Sequence, residues 1–198
     1  MSEIAEGYKQ TEIGVIPNDW EVKELTEIST FENGKAHEQF IDNNGDFIVV
    51  NSKFISTEGK VKKFSNKNLS PLSKGNIAIV MSDIPNGKAL SKCFLIDKDN
   101  YYALNQRIGC IKANEEIDNE YLFYKLNRNK YFLAFDSGTG QTNLKKSEIQ
   151  DCLVPLPPTK AEQTAIATAL NDADALITQL EKLIAKSETS NKGQCRSC

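Results

Sequence analysis

With 198 residues, 39% of them hydrophobic and 26% charged, the chain has material for one folded body plus an appendage, and none of the compositional marks of disorder or collagen. A formal net charge of −3, from 24 Lys+Arg and 27 Asp+Glu, argues against a strongly basic nucleic-acid binder. No basic start leads into an apolar run and no stretch approaches the roughly eighteen apolar residues of a membrane span, so the reading is cytoplasmic, with no membrane partner.

Residues 1–19 form a polar lead-in, with Glu3, Glu6, Glu12 and Asp19 against Lys9, and Trp20 opens the body. Short β-like runs are expected over 46–50, 60–64, 76–81, 93–96, 101–103 and 107–112, each punctuated by glycine, asparagine or aspartate. Cys93, Cys110 and Cys152 fall inside such apolar runs, where reduced thiols act as small hydrophobes. Asp118 is placed to cap a helix over 119–135 with Leu122, Leu126 and Leu133 inward. A glycine-rich loop at 137–141, SGTGQ, then leads to a helical turn near 144–149 and a last strand over 152–156. Two echoes of Asn-Gly-Lys-Ala, at 33–36 and 86–89, predict turns that each display a lysine. Between residues 51 and 75, Lys53, Lys60, Lys62, Lys63, Lys67 and Lys74 meet only Glu58, which is compatible with phosphate contact as well as with a solvated face.

Pro155, Pro157 and Pro158 hold the chain extended just before a long amphipathic helix. Thr159 and Glu162 have capping-box spacing. Ile166, Leu170, Ala173, Ile177, Leu180 and Ile184 recur at a 3.5-residue period, flanked by Ala169, Leu176 and Leu183. No glycine or proline interrupts residues 160–186, so the helix spans about 40 Å. Packing on its own body would account for part of this stripe; its width favours intermolecular pairing. The predicted fold class is therefore α+β: a body of short strands and a few helices over 20–158, a long C-terminal amphipathic spacer helix over 159–187, and a flexible tail over 188–198.

Catalytic motifs are missing. There is no phosphate-binding loop, dinucleotide fingerprint or nucleophile elbow, and Cys195-x-x-Cys198 lacks two further ligands for zinc. Predicted loops instead collect amides, lysines and hydroxyls: Lys35, His37, Asn51, Lys53, Asn86, Lys88, Asn105, Gln106, Arg107, Thr139, Gln141 and Asn143. Such groups suit base edges, since arginine and lysine pair with guanine and amides with adenine, while other lysines position phosphates.

Taken in order, GYKQTEIGVIPNDWEVKEL at 7–25, NGKAHE at 33–38, MSDIPNGKAL at 81–90, LNQRIGCIKA at 104–113 and SGTGQTNLKKSEIQDCLVPLPPTKAEQTAIATAL at 137–170 resemble the specificity subunit of type I restriction-modification systems. The best marker is the PLPP run followed by Glu162-Gln163 and the amphipathic helix. The resemblance implies that residues 20–158 are a target recognition domain reading one half of a split site in double-stranded DNA, and that the helix is the conserved spacer. Members usually carry two of each, with the helices antiparallel. This chain is therefore expected to act as a half subunit whose homodimer, paired through Ile166, Leu170, Ala173, Leu176, Ile177, Leu180, Leu183 and Ile184, reads a symmetric interrupted palindrome.

Modification subunits, which are methyltransferases, would dock on the helices, and a restriction subunit would join them. S-adenosylmethionine and ATP belong to those partners, so no cofactor, metal or catalytic residue is expected here. The sequence stops where family members continue, which keeps open a truncated subunit or an oligomerising adaptor without DNA recognition. Asp174, Glu181 and Glu188 would face like charges across an antiparallel pair, at tenths of a kcal/mol each.

Overall fold

The computed structural model describes residues 4–84, 88–136 and 138–194, with side chains through residue 187. In chain order the elements are β1 (Tyr8–Thr11), β2 (Gly14–Pro17), β3 (Glu21–Glu24), α1 (Leu25–Ile28), β4 (Ser29–Asn33), β5 (Phe47–Val50), α2 (Ser52–Ser56) and β6 (Phe64–Ser65). Then come β7 (Ile77–Val80), β8 (Ser82–Asp83), β9 (Cys93–Leu95), β10 (Tyr102–Leu104), β11 (Ile108–Ala113), α3 (Asn119–Leu126) and α4 (Lys130–Leu133). The chain closes with β12 (Thr142–Asn143), α5 (Lys146–Gln150), β13 (Leu153–Leu156) and α6 (Lys160–Gln194). The class is α+β, as read from the sequence.

Alternation along two buried strands sets the layering. A four-stranded sheet runs β4-β11-β7-β9 and a three-stranded sheet runs β10-β5-β6. Successive strand side chains point to opposite faces, so Ile77 and Ile79 of β7 enter one core with Ile111, Tyr121, Leu122, Leu126 and Phe132. Ala78 and Val80 enter the other with Ile48, Val50, Leu104 and Cys110. The four-stranded sheet is thus a middle layer between helices and the smaller sheet. That is why β7 is wholly buried and reads as a continuous apolar run. Cys110 and Cys152 are buried and Cys93 is partly so; Cys195 and Cys198 lie outside the described residues.

Several expectations change. The lead-in contains an antiparallel hairpin, β1 with β2, closed at Thr11 opposite Gly14, whose φ of 115° needs glycine. The run at 60–64 is mostly irregular: Glu58 and Gly59 take positive φ just before it, Lys63 O accepts from Val49 N of β5 at 2.8 Å, and the strand itself starts only at Phe64. The helix over 119–135 is two helices. Between them Arg128 has φ 58° and its N–H donates to Ser91 O at 2.9 Å, while Asn127 Oδ1 accepts from Cys93 N at 3.0 Å. Asn129 then caps α4 by accepting from Tyr131 N at 2.9 Å. These polar groups serve β9 and the next helix instead of continuing α3. Asp118 does cap α3, accepting from Glu120 N and Tyr121 N.

The capping box at α6 is half formed. Thr159 Oγ1 accepts from Glu162 N at 3.2 Å, but the Glu162 carboxylate accepts from the Trp20 indole at 3.0 Å. Of the apolar stripe on α6, Ile166 packs against the body and Ala167 is buried in it. Every described residue from Thr168 to Ser187 is exposed, including Leu170, Ala173, Leu176, Ile177, Leu180, Leu183 and Ile184. The stripe therefore divides into a short root on the body and a long unpartnered seam.

Candidate nucleic-acid interface

Strand direction gathers most of the candidate residues onto one rim. Asn33 at the end of β4 and Val80 at the end of β7 flank Gly109 and Ile108 at the start of β11. Parallel pairing of β10 with β5 puts Leu104 beside Val50, and Asn105 N donates to Val50 O at 3.1 Å. Lys35 N donates to Leu104 O, Gln106 N donates to Lys35 O and Met81 N donates to Arg107 O. β12 pairs with β8, placing Asn143 opposite Ser82 just beyond β7. Lys35, Asn51, Gln106, Arg107, Gln141 and Asn143 therefore emerge at the carboxyl ends of β4, β5, β7 and β10.

Close backbone approach holds this rim together. Gly34 is not the positive-φ turn expected of Asn-Gly; a Cβ there would collide with the carbonyls of Asn105 and Leu104. Glycine is required by contact, because the 33–35 segment is bonded into the 104–108 loop through Gly34 N to Ile108 O at 3.1 Å. Lys35 is exposed at the end of this weld. Arg107, also exposed, has φ 70°, a left-handed conformation that turns the chain from β10 into β11.

His37 is a correction. It is fully buried, so it does not face a ligand. Its Nε2 accepts from Leu69 N at 3.0 Å, which fixes the proton on Nδ1, and Nδ1 donates to Lys35 O at 2.8 Å. The ring is a buried staple between two loops. Asn51 also has structural work, since its Oδ1 accepts from Phe54 N at 2.9 Å and caps α2. Lys53 is exposed on α2, one residue beyond its start. Asn86 lies outside the described residues, whereas Lys88 is exposed. Thr139 is exposed on the loop before β12. The lysines at 53, 60, 62, 63, 67 and 74 are all exposed, and Lys67 sits 4.7 Å from the centroid of the Phe40 ring.

Three rim residues escaped the sequence reading. Ser82, 8% exposed, donates from Oγ to Asn143 Oδ1 at 2.7 Å and accepts from Gln141 Nε2 at 2.7 Å, so it orients both amides. Asp83 accepts from the N–H groups of Ile84, Ala89 and Leu90, closing the loop that carries Lys88. Its signal was present in the sequence: an aspartate two positions before a Pro-Asn-Gly run is a candidate loop-closing residue. Glu38 accepts from Asn105 Nδ2 at 3.4 Å and Gln106 Nε2 at 3.2 Å, and its carboxyl is held below the usual range, first by its own backbone N–H. Nothing local in the sequence marks that pairing.

Burial pushes the thiols of Cys110 and Cys152 up to about 12 and raises that of Cys93, so they are protonated at neutral pH and weak as nucleophiles. Among the described residues, no group of three or more His, Cys, Asp or Glu is arranged to hold a metal ion, and no helix is long and apolar enough to cross a membrane. What the rim presents is hydrogen-bonding side chains of fixed placement around Lys35 and Arg107.

The family described as type I restriction modification DNA specificity domain matches residues 17–188, and the chain belongs to it. It is 30% identical over 187 residues to the type I restriction enzyme MjaVIII specificity subunit of Methanocaldococcus jannaschii, covering 86% of this chain and 43% of that protein. The MjaIX specificity subunit of the same organism is 28% identical over 194 residues, 88% of this chain and 42% of that one. Among solved structures, the type I restriction-modification S subunit from M. genitalium aligns with a TM-score of 0.62 at 21% identity, over 83% of this chain and 41% of that chain. The HsdS subunit from Thermoanaerobacter tengcongensis aligns at 0.63 and 14% identity, over 90% of this chain and 43% of that one. These two share the fold. The chain spans about half the length of the curated relatives it matches.

Proposed function

We propose that this chain is a DNA-reading specificity unit of a type I restriction-modification complex, without catalytic activity of its own. The rim at the carboxyl ends of β4, β5, β7 and β10 reads one half of a bipartite site. Lys35, Lys53 and Lys88 contact phosphates, while Gln106, Arg107, Gln141 and Asn143 meet base edges, with Thr139 on the loop that carries Gln141. The observation that carries this reading is the convergence of six candidate residues from four segments of the chain onto one rim, in a chain whose family is defined by DNA specificity.

The exposed seam of α6 supports the second half of the proposal. It pairs with the same helix of a second copy, so the homodimer reads two symmetric half-sites separated by a fixed gap. Methyltransferase and restriction subunits dock around the paired helices and bring S-adenosylmethionine and ATP.

Single-molecule sequencing of methylated bases, in cells expressing the chain with its modification subunits, tests the reading directly. A symmetric interrupted motif is expected, and substitution of Gln106, Arg107 or Gln141 should change the bases in it. Uniform loss of methylation at every sequence, with no altered motif, would remove those residues from base reading.

A further inference from the structure

We infer that a polar anchor at the root of α6, centred on Gln163 and the Trp20–Glu162 pair, fixes the angle at which the helix leaves the body and thereby sets the number of base pairs between half-sites. The inference rests on the DNA-reading function proposed above.

Gln163 is an amide only 1% exposed. Its Oε1 accepts from Asp118 N at 2.7 Å, and its Nε2 donates to Glu116 O at 3.2 Å and Pro157 O at 3.1 Å. One side chain thus ties α6 both to the turn between β11 and α3 and to the segment leaving β13. Trp20, just before β3, adds its indole bond to Glu162 at 3.0 Å. Close by on the helix, Thr164 Oγ1 donates to Asp118 Oδ2 at 3.4 Å, and two turns beyond that Asn171 Nδ2 donates to Glu120 Oε2 at 2.7 Å. Tyr124 OH lies 2.8 Å from Asn171 Oδ1 and 2.9 Å from Asp174 Oδ2.

The apolar grip at this root is small, being Ala167 with the partly buried Ile166. Apolar contact is non-directional and tolerates rotation. A buried amide does not, because each partner left unpaired is costly, and only a narrow range of angles satisfies all three bonds of Gln163.

Beyond Asp174 the helix runs 20 further residues to Gln194. At 1.5 Å per residue that is a lever of about 30 Å, so a tilt of about 10° at the root moves the tip by about 5 Å. One base pair rises about 3.4 Å. An anchor that held the helix loosely would therefore blur the spacing by a base pair or more.

The test uses the full chain with its modification subunits and the sequencing of methylated bases. Gln163→Met keeps the volume and removes the three bonds; Trp20→Phe keeps an aromatic ring and removes the indole donor. Both variants should methylate the same half-site bases, now with a mixture of gaps that includes one base pair more or fewer. A single unchanged gap at a reduced level of methylation would mean a merely structural role and overturns the inference.

Should a variant methylate nothing, the purified full chain is competed against duplexes whose gaps differ by one base pair. The preference for the native gap should fall about fivefold or more, the scale of one mismatched pair; an intact preference overturns the inference. A wild-type chain that yields no bipartite motif sinks the DNA-reading function itself, whereas a wild-type motif with variants of unaltered gap sinks only the anchor.

Discussion

Leu180→Asp separates assembly from folding. Leu180 is 49% exposed, and its neighbours on the seam, Leu176, Ile177, Leu183 and Ile184, are 57%, 53%, 63% and 58% exposed. Fully burying such a side chain stabilises by about 1.5–3 kcal/mol, so the half still available at Leu180 is worth roughly 1 kcal/mol in each copy. In a symmetric pair the substitution removes that twice and places a carboxylate in each apolar seam, at a further cost of about 1–3 kcal/mol per copy. The sum is at least about 4 kcal/mol, which raises the dimer Kd about a thousandfold. Sedimentation equilibrium across micromolar concentrations should show dimer for the wild type and monomer for the variant. Because Leu180 is half exposed and is not among the side chains packed on the body's core, the dilute variant should keep the melting temperature of the dilute wild type. An unchanged Kd, or a dilute variant that melts early, would refute the division of α6 into root and seam.

His37→Ala should destabilise the body by about 2–4 kcal/mol in denaturant unfolding, since it leaves Leu69 N without its partner, removes one of the two bonds to Lys35 O and opens a cavity; a loss under about 0.5 kcal/mol would contradict the buried-staple role. Lys35→Ala or Lys88→Ala should make the slope of log K against log salt shallower by about 0.9 for each phosphate no longer neutralised, and an unchanged slope removes that lysine from the backbone contacts. Glu38→Ala releases the amides of Asn105 and Gln106, so the methylated motif should change at the position Gln106 reads; an identical motif would show that this pairing does not shape base contacts. For Tyr124, burial first and then the hydrogen bond to Asp174 push the phenol up to about 12 from 10.0. The folded state therefore holds this proton longer than the unfolded chain, and the contribution, whole below pH 10, is lost as pH rises towards 12. Denaturant midpoints should fall through that window, and Tyr124→Phe should flatten the fall; a variant with the wild-type profile would show that Tyr124 does not drive it.

Local signals decided what the sequence could disclose. α6 was legible because a 3.5-residue period and an uninterrupted helical run are properties of the segment itself, and β7 and β11 because burial on both faces demands continuous apolar residues. β3 and β4 carry Glu21, Glu24, Thr30, Glu32 and Asn33, with no clean alternation. They are strands because β13 and β11 supply backbone partners from far along the chain. The break at residues 127–129 has the same origin, since the carbonyl of Ser91 and the N–H of Cys93, which hold it open, come from another element.

The candidate site was legible as an inventory and not as an arrangement, because polar loop residues have two competing employers, the backbone and the ligand. His37 has given both ring nitrogens to the backbone, Asn51 has given its carbonyl oxygen to α2, and Gln141 and Asn143 are aimed by Ser82. Lys35 and Arg107 stand differently, held in place through their backbones and exposed to solvent. A side chain fixed through its own backbone keeps its full hydrogen-bonding capacity for a ligand, and little backbone entropy remains to be lost when it binds. That distinction ranks Lys35 and Arg107 ahead of the amides as the residues around which the proposed base and phosphate contacts would be organised.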